Sequence, residues 1–463
     1  MNKGHFRKYI CSIGSFLTIF IMSHCGGGSP GPNIPAPVGE LMSISSPDVQ
    51  GLVKVSGMNG AVFPQAKVIV TNVSIHKGDN LINGLKKAPY LDDLRQQTTL
   101  TQVETIADIN GAFEVFVRGA VKDEVEVVQV FEGEVSDATE LIVPPNVFSV
   151  KSNLSHLAVN PYENLAVAIG NDDTNGLVYM LQYDPDVPLY SHPEPTLKFS
   201  QSHRLSKIAL HPTNNTALII SHEDNVIIDF LTNSLQTSPY VSSIKSPLSI
   251  NINPDVSLAV LGLEGSHAVQ IYDMVAHEPT CMVKINNSLA ESSHVQTKFV
   301  DIKLENQENI ILVAASDFDD GSIVMSRIAY GSCDNPVLGI SQLLLPPNVE
   351  VSGLASFDFG NKAVVSDANS NRVYMVDFNA LKIIPMIVGD SPREIFIDEL
   401  FNSAYVANAG DNSVSFINLL TRQVKTQEHI GLMPSALGVF YNLDQAAVFS
   451  SFDNSLVFID MDF

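Results

Sequence analysis

The 463-residue chain contains no tryptophan, only four cysteines and few cationic side chains. The absence of tryptophan removes the signature of tryptophan–aspartate repeats. There are 26 Lys and Arg against 50 Asp and Glu, so the formal net charge is -24. A chain with this balance has no basic surface for a phosphate backbone, and we therefore predict no nucleic-acid partner.

Charged residues make up 16% of the chain, against roughly 25% in an average soluble protein. Apolar residues reach 45%, which is enough for a large core. Such a composition is typical of short strands joined by turns and argues against disorder and coiled coil. Enzyme motifs are missing too, because the sequence has no His-Glu-x-x-His, no Gly-x-Ser-x-Gly, no phosphate-binding loop and no paired-cysteine zinc spacing. The sequence therefore indicates no catalytic residue, metal or cofactor.

The first 24 residues have the pattern of an export signal peptide. Lys3, Arg7 and Lys8 precede an uncharged apolar run over residues 9–22, which is too short to span a bilayer as a helix. Cys25 follows this run and opens a tether rich in Gly and Pro, predicted as flexible over residues 25–45.

A cysteine in this place resembles the lipidated cysteine of bacterial lipoproteins. The resemblance implies that Cys25 is the lipidation site and that a membrane holds the protein through this anchor. Gly26 follows where an aspartate would retain such a protein at the inner membrane, so the resemblance favours the outer membrane. An ordinary secretory signal is the alternative, and both interpretations predict export to the cell envelope.

Residues 46–145 show short segments of period-2 alternation bounded by Gly, Asn, Asp and Pro, which predicts a small β-sandwich. Asp108, Asn110 and Gly111 form a turn motif before a strand that opens near Phe113. This motif resembles the carboxypeptidase regulatory-like, or transthyretin-like, sandwich, whose members are spacers or binding modules. Residues 74–98 interrupt the pattern as an insertion, with a short helix possible over residues 91–96.

From Ser155 onward one unit of three apolar strands recurs seven times. The second strands begin at a small or apolar residue: Ala166, Ala217, Ala259, Ile311, Ala363, Ala404 and Ala446. Their spacings of 41 to 52 residues, with strands only, predict a β-propeller. The fold prediction is therefore all-β, with the sandwich followed by a seven-bladed β-propeller over residues 146–463.

The sixth unit carries the sequence Tyr405-Val406-Ala407-Asn408. It resembles the YVTN β-propeller repeat, and the resemblance extends over residues 155–463. The seventh unit lacks an outer strand, because the sequence after its third strand is too short. We predict that residues 146–151 supply this strand and pair with residues 456–462, since a propeller otherwise exposes an unpaired edge.

One aligned position in the first strands gives the candidate binding site. Five residues before the turn, the seven units place His156, Lys207, Ser249, Asp301, Gly353, Glu394 and Ala436. If these side chains point into the mouth of the central channel, His156, Lys207, Asp301 and Glu394 could bind a small ligand. The alternative is that the position faces a neighbouring blade. We expect the acidic and imidazole groups not to converge closely enough for chemistry.

Two cysteines, Cys281 and Cys333, lie in the predicted propeller. Each follows the start of its second strand by 22 residues, which places them at equivalent outer positions of adjacent blades. Such positions should be roughly 15 Å apart, beyond the ~7 Å limit between the Cα atoms of a disulfide. We therefore predict two separate thiols.

The function predicted from these features is that of a non-catalytic binding or scaffold module in the cell envelope, with a protein or glycan partner. The alternative is a hydrolase of the lactonase type with its site at the channel mouth, because propellers resembling this repeat include lactonases. The sequence does not distinguish the periplasmic from the outer face of the membrane.

Overall fold

The computed structural model describes residues 34–47, 51–74, 101–144, 147–149, 154–182, 196–211, 213, 216–231, 239–253, 255–285, 295–305, 308–317, 321–427, 430–441 and 445–461. The predicted signal peptide, Cys25 and most of the insertion after Ser74 lie outside the described residues. Within these ranges, no helix is long and apolar enough to cross a membrane.

The first domain is a β-sandwich. Its strands are β1 (Met42–Ile44), β2 (Leu52–Gly57), β3 (Lys67–Asn72), β4 (Gln102–Ile106), β5 (Phe113–Arg118), β6 (Glu124–Phe131), β7 (Glu134–Val135) and β8 (Thr139–Ile142), with a 3-10 helix at Gly39–Leu41. One sheet has the order β1-β2-β5, and the other has β4-β3-β6 followed by β7, with β8 also pairing β6. Alternate residues of β3, β5 and β6 point between the sheets and form the core.

The turn before β5 explains the Asp-x-Asn-Gly motif. The Asp108 carboxylate accepts N–H groups of Asn110 and Ala112, which lowers the pKa of this exposed carboxyl. Gly111 has φ of 85°, and a Cβ there would lie 2.1 Å from the carbonyl oxygen of Val62. Only glycine fits this close approach.

The sandwich begins earlier than predicted, so the prediction of a flexible tether up to residue 45 was wrong in its last part. Val38 donates its N–H to the Ala61 carbonyl, and the Gln129 amide donates to the Pro35 carbonyl. Strand β1 then pairs with β2. These contacts attach residues 35–44 to the sandwich.

The second domain is a seven-bladed β-propeller in which each blade is a four-stranded antiparallel sheet. Blades 1 to 3 comprise β10 (Leu154–Asn160), β11 (Leu165–Asn171), β12 (Gly176–Gln182) and β13 (Thr196–Gln201); β14 (Lys207–Leu210), β15 (Thr216–Ser221), β16 (Val226–Leu231) and β17 (Tyr240–Ser243); and β18 (Pro247–Ile252), β19 (Leu258–Leu263), β20 (Ala268–Asp273) and β21 (Glu278–Lys284).

Blades 4 to 6 comprise β22 (Val295–Glu305), β23 (Glu308–Asp317), β24 (Ile323–Tyr330) and β25 (Gly339–Leu344); β26 (Val351–Phe357), β27 (Lys362–Asp367), β28 (Arg372–Asp377) and β29 (Lys382–Ile387); and β30 (Pro392–Asp398), β31 (Ser403–Asn408), β32 (Ser413–Asn418) and β33 (Val424–Gln427). Blade 7 has β34 (Pro434–Phe440), β35 (Gln445–Ser450) and β36 (Ser455–Asp460), and its fourth strand is β9 (Val147–Ser149).

The second strand of each blade is buried on both faces, because each blade packs against two neighbours. Ala166, Ala217, Ala259, Ala363 and Ala404 are fully buried at the starts of these strands. Side chains of blades 1 and 7 share one apolar cluster, and the first strands of these two blades are in contact. The ring is therefore closed between its first and last blades.

The predicted closing strand is confirmed. In β9, Val147, Phe148 and Ser149 pair antiparallel with Val457, Leu456 and Ser455 of β36. A strand from the N-terminal side of the propeller thus covers the edge that blade 7 would otherwise expose.

The prediction of two separate thiols was wrong. Cys281 and Cys333 form a disulfide with their Cα atoms 5.5 Å apart. Cys281 lies on β21, the outermost strand of blade 3, whereas Cys333 follows β24 in the connection to β25 of blade 4. The two positions are not equivalent, because β23 and β24 have 10 and 8 residues and are longer than their counterparts in blade 3, which have 6 each. The extra length moves Cys333 from the outer strand into the hairpin before it.

Candidate functional site

The candidate binding residues all lie on the first strands of the blades, which surround the central channel. A β-bulge near the start of six of these strands, all but β14, defines their register. In four blades the residue directly after the bulge is the predicted one: His156, Ser249, Gly353 and Ala436. Lys207 pairs with the equivalent residue of its own second strand.

Asp301 does not belong to this ring. In blade 4 the residue after the bulge is Phe299, and Asp301 comes two residues later. The β22–β23 hairpin is longer than its counterparts, so counting back from the turn reached the wrong residue. Asp301 instead accepts N–H groups from Ile302 at 2.8 Å and from Ser356 of blade 5 at 2.7 Å. Its carboxylate therefore joins two blades.

Two members of the ring point towards the first strand of the next blade. A Cβ added to Gly353 would lie 2.4 Å from the carbonyl oxygen of Arg393 in blade 6, so glycine is required there by close approach. The Ser249 hydroxyl lies near Gly262 and Thr297. A Cβ added to Gly262 would lie 2.4 Å from the Ser249 Oγ and 2.2 Å from the carbonyl oxygen of Thr297. At these two positions the residue therefore faces the neighbouring blade, which was the alternative to a side chain pointing into the channel.

Lys207 influences two other titratable members of the ring, Glu394 and His156. Burial raises the pKa of Glu394, and the Lys207 ammonium partly opposes this shift. Burial also lowers the pKa of His156 to about 3, with a second contribution from Lys207. Lys207 therefore acts on both groups, and His156 is neutral at physiological pH. The structure therefore places Lys207 within electrostatic range of both His156 and Glu394.

The interactions described for Asp301 lie in a separate group. Burial raises the pKa of Asp301, and Lys303 opposes this shift. The Lys303 ammonium lies 3.0 Å from Glu399 on the first hairpin of blade 6, and Asp255 on the first hairpin of blade 3 adds to the same field. This second group is at the hairpin end of the channel. The four candidate residues therefore do not form one site.

His156 makes the stability of the protein depend on pH. Because its folded pKa is about 3, the folded state stays neutral where an unfolded histidine, with a pKa of about 6.5, takes up a proton. Its contribution is present above pH 6.5 and is lost as the pH falls. We expect the free energy of unfolding to decrease by about 2 kcal/mol because of this group as the pH falls from 6.5 to 4.5. Urea unfolding of wild type and His156→Gln checks this, and equal pH slopes would contradict it.

Four first strands end in the same side-chain cap, which sequence reasoning missed. Asn160, His211, Asn253 and Asp398 each accept the N–H of the residue two positions later, at 2.9 to 3.2 Å. The recurrence of Asn-Pro or His-Pro at 160, 211 and 253 in the sequence is the signal that could have revealed it.

A group of exposed apolar side chains occurs at the hairpins of blades 5 and 6. We call it the tip surface: Phe359, Leu381, Leu400, Phe401 and Leu420. Each is 62–73% exposed. Each lies in the hairpin that joins the first and second strands of a blade, or in the one that joins the third and fourth. Because the strands are antiparallel, both kinds of hairpin lie on the same face of the propeller.

The sandwich contacts the opposite face, at the hairpins between second and third strands. The Lys54 ammonium of β2 donates to the carbonyl oxygen of Asp453 in blade 7 and lies 3.4 Å from Glu114, and its side chain is only 4% exposed. The buried Asp453 carboxylate accepts hydroxyl groups of Ser43 and Ser455. Burial raises the pKa of Asp453, and these hydrogen bonds and Lys54 oppose the shift.

Comparisons with known proteins inform the fold. No family model and no curated protein matches the chain. A solved structure from Kuenenia stuttgartiensis, described as hydrazine synthase, is similar with a TM-score of 0.53 and 11% sequence identity, over 68% of this chain and 97% of that one. At this identity the likeness concerns the fold and not the activity. The chain is therefore an all-β protein with the β-propeller architecture found in that structure.

Proposed function

We propose that this chain is an exported, lipid-anchored protein of the cell envelope whose propeller is a non-catalytic binding platform. The export signal with Cys25 supports the location, and the outer membrane is the membrane that Gly26 favours. The YVTN-like repeat and the regulatory-like sandwich motif support the assignment to binding modules. The observation that carries the proposed function is the tip surface.

Contiguous exposed apolar side chains mark interaction sites, and five large ones lie at hairpins on one face of two neighbouring blades. Phe359 and Phe401 offer aromatic anchors of the kind that dominate protein interfaces. The net charge of -24 opposes insertion into an anionic lipid surface. The partner that fits is a protein with apolar pockets and a cationic rim.

The domain junction lies on the face of the propeller opposite the tip surface. Lys54 and Asp453 connect the sandwich to blade 7 through buried polar contacts. The Asn412 amide of blade 6 donates to the Glu40 carbonyl at 3.1 Å and adds a second contact. The sandwich thus contacts blades 6 and 7 on the face opposite the tip surface, which stays accessible.

A photo-cross-linking amino acid at Phe401 tests the platform in intact cells. We expect a discrete cross-linked protein species from this position, reduced at least tenfold by Leu400→Ser with Leu420→Ser, because the apolar anchors would be lost. The control is the same amino acid at Ile109, which is 73% exposed on the sandwich and should give no such species. Equal cross-linking from both positions would refute the proposed surface.

The hydrolase is the second candidate function. Glu394 has a raised pKa and lies close enough to Lys207 for the two charges to interact, and such perturbed pairs occur at active sites. The same burial follows from the packing of first strands around the channel. Lactone turnover that is lost in Glu394→Ala would favour the hydrolase over the platform.

A further inference from the structure

A cavity of about 470 Å³ lies between the sandwich and blade 7. The sandwich contributes the segment from Gly39 to Ile44 and strand β8, and the propeller contributes β36 and the connection before β34. This volume falls within the roughly 300–1,000 Å³ range of small-molecule sites, which occur preferentially between domains.

The walls of this junction cavity are mostly aliphatic. Apolar lining residues come from both domains, among them Ile44, Ile142, Ile430 and Leu432. Leu432 and Val457 are buried, whereas Ile142 is 58% exposed at the rim. An occupant must therefore carry an apolar body that can contact both domains.

The polar lining of the cavity is negative. No Lys, Arg or His is among the lining residues, and the charged ones are Glu40 and Glu140. Ser43 and Asn412 also line the cavity, but their side chains already bond Asp453 and the Glu40 carbonyl. In the part of the chain that the structure describes, neither glutamate side chain has an ion-pair partner.

Further carboxylates strengthen this negative potential. A carboxylate oxygen of Glu140 lies within 4.8 Å of those of Glu124 and Glu126, because Glu140 pairs directly with Glu126 across β8 and β6. Like charges this close repel one another, and a cation relieves the repulsion.

We propose that the junction cavity binds a small aliphatic amine. The aliphatic walls would hold the methylene chain, and Glu140 and Glu40 would hold the ammonium groups through charge-assisted hydrogen bonds. Alkyl amines have pKa values near that of lysine, about 10.4, so they are cationic at neutral pH. The ligand contacts both domains, and its binding therefore stabilises the sandwich on the propeller.

Calorimetric titration of the full chain with 1,6-diaminohexane tests the proposal. We expect saturable binding of one diamine per chain and a rise in the unfolding temperature. Hexylamine should bind more weakly, and 1,6-hexanediol, which has the same length without charge, should not bind measurably. Glu140→Gln should lower the affinity for the diamine about tenfold. Ile142→Thr, at the exposed rim, should lower the affinity for hexylamine more than it lowers the affinity for methylamine.

An acidic protein also attracts diamines without a specific site, so a matched control is needed. Glu134→Gln removes one carboxylate from the exposed strand β7, which does not line the cavity, and it should leave the diamine affinity unchanged. Equal weakening by Glu134→Gln and Glu140→Gln, non-saturable binding, or equal binding of hexanediol would each overturn the proposal. These outcomes are independent of the tip surface, which is on the other face.

Discussion

Replacing Lys54 with alanine is expected to destabilise the protein by about 1–3 kcal/mol, because it removes the cation that acts on the buried Asp453 carboxylate and leaves buried polar groups without their partner. The variant also leaves the Asp453 carbonyl oxygen without the ammonium donor. Since Lys54 joins the sandwich to blade 7, we expect the two domains to unfold in separate steps. Differential scanning calorimetry would then show two transitions in place of one.

The matched control for this prediction is Lys67→Ala on the next strand of the same domain. Lys67 forms an ion pair with Glu104 at 2.6 Å, but both side chains are about half exposed. An exposed pair contributes about 0–1 kcal/mol, so this change should hardly move the unfolding temperature. The double variant Lys54→Met with Asp453→Asn should recover part of the loss, because no buried charge stays unpaired. Equal effects of Lys54→Ala and Lys67→Ala would contradict a buried ionic junction.

The second large effect is expected from removing the closing strand. A chain that begins at Leu154 lacks β9, and β36 then has an unpaired edge. We expect a loss of several kcal/mol and self-association, because the stability of a repeat array depends on each neighbouring contact and free edges pair between molecules. Urea unfolding and sedimentation velocity measure the two effects.

The comparison chain begins at Pro144, so it also lacks the sandwich but keeps β9. The difference between the two chains isolates the contribution of residues 147–149. If both chains have the same unfolding midpoint and both are monomers, the closing strand does not stabilise the ring.

The repeat and the closing strand could be predicted because their signals are local. Apolar alternation and a small or apolar residue, such as Ala404, at the start of each second strand mark a blade wherever it occurs. The missing strand of the seventh unit then left the segment near Val147 as the available partner. Packing on two faces imposes these patterns, and the structure shows Ala404 fully buried.

Features that depend on hairpin length or on the placement of domains could not be predicted. Asp301 and Cys333 were placed by counting residues, and the long strands of blade 4 shifted both. Lys54 occupies an ordinary position in a short strand, and only the position of blade 7 makes it a buried charge. Phe401 follows a strand in the sequence, where an apolar residue does not reveal that it is exposed.

The disulfide and the closing strand together determine where the ring is weakest. Cys281 and Cys333 join blades 3 and 4 covalently, whereas blade 7 is completed only by the short pairing of β9 with β36. These two places lie on opposite sides of the ring. Mechanical tension between the sandwich and the last blade therefore acts directly on the non-covalent pairing. We expect rupture to begin in blade 7, because the pairing of β9 with β36 bears this tension first, and to reach the cross-linked blades 3 and 4 last.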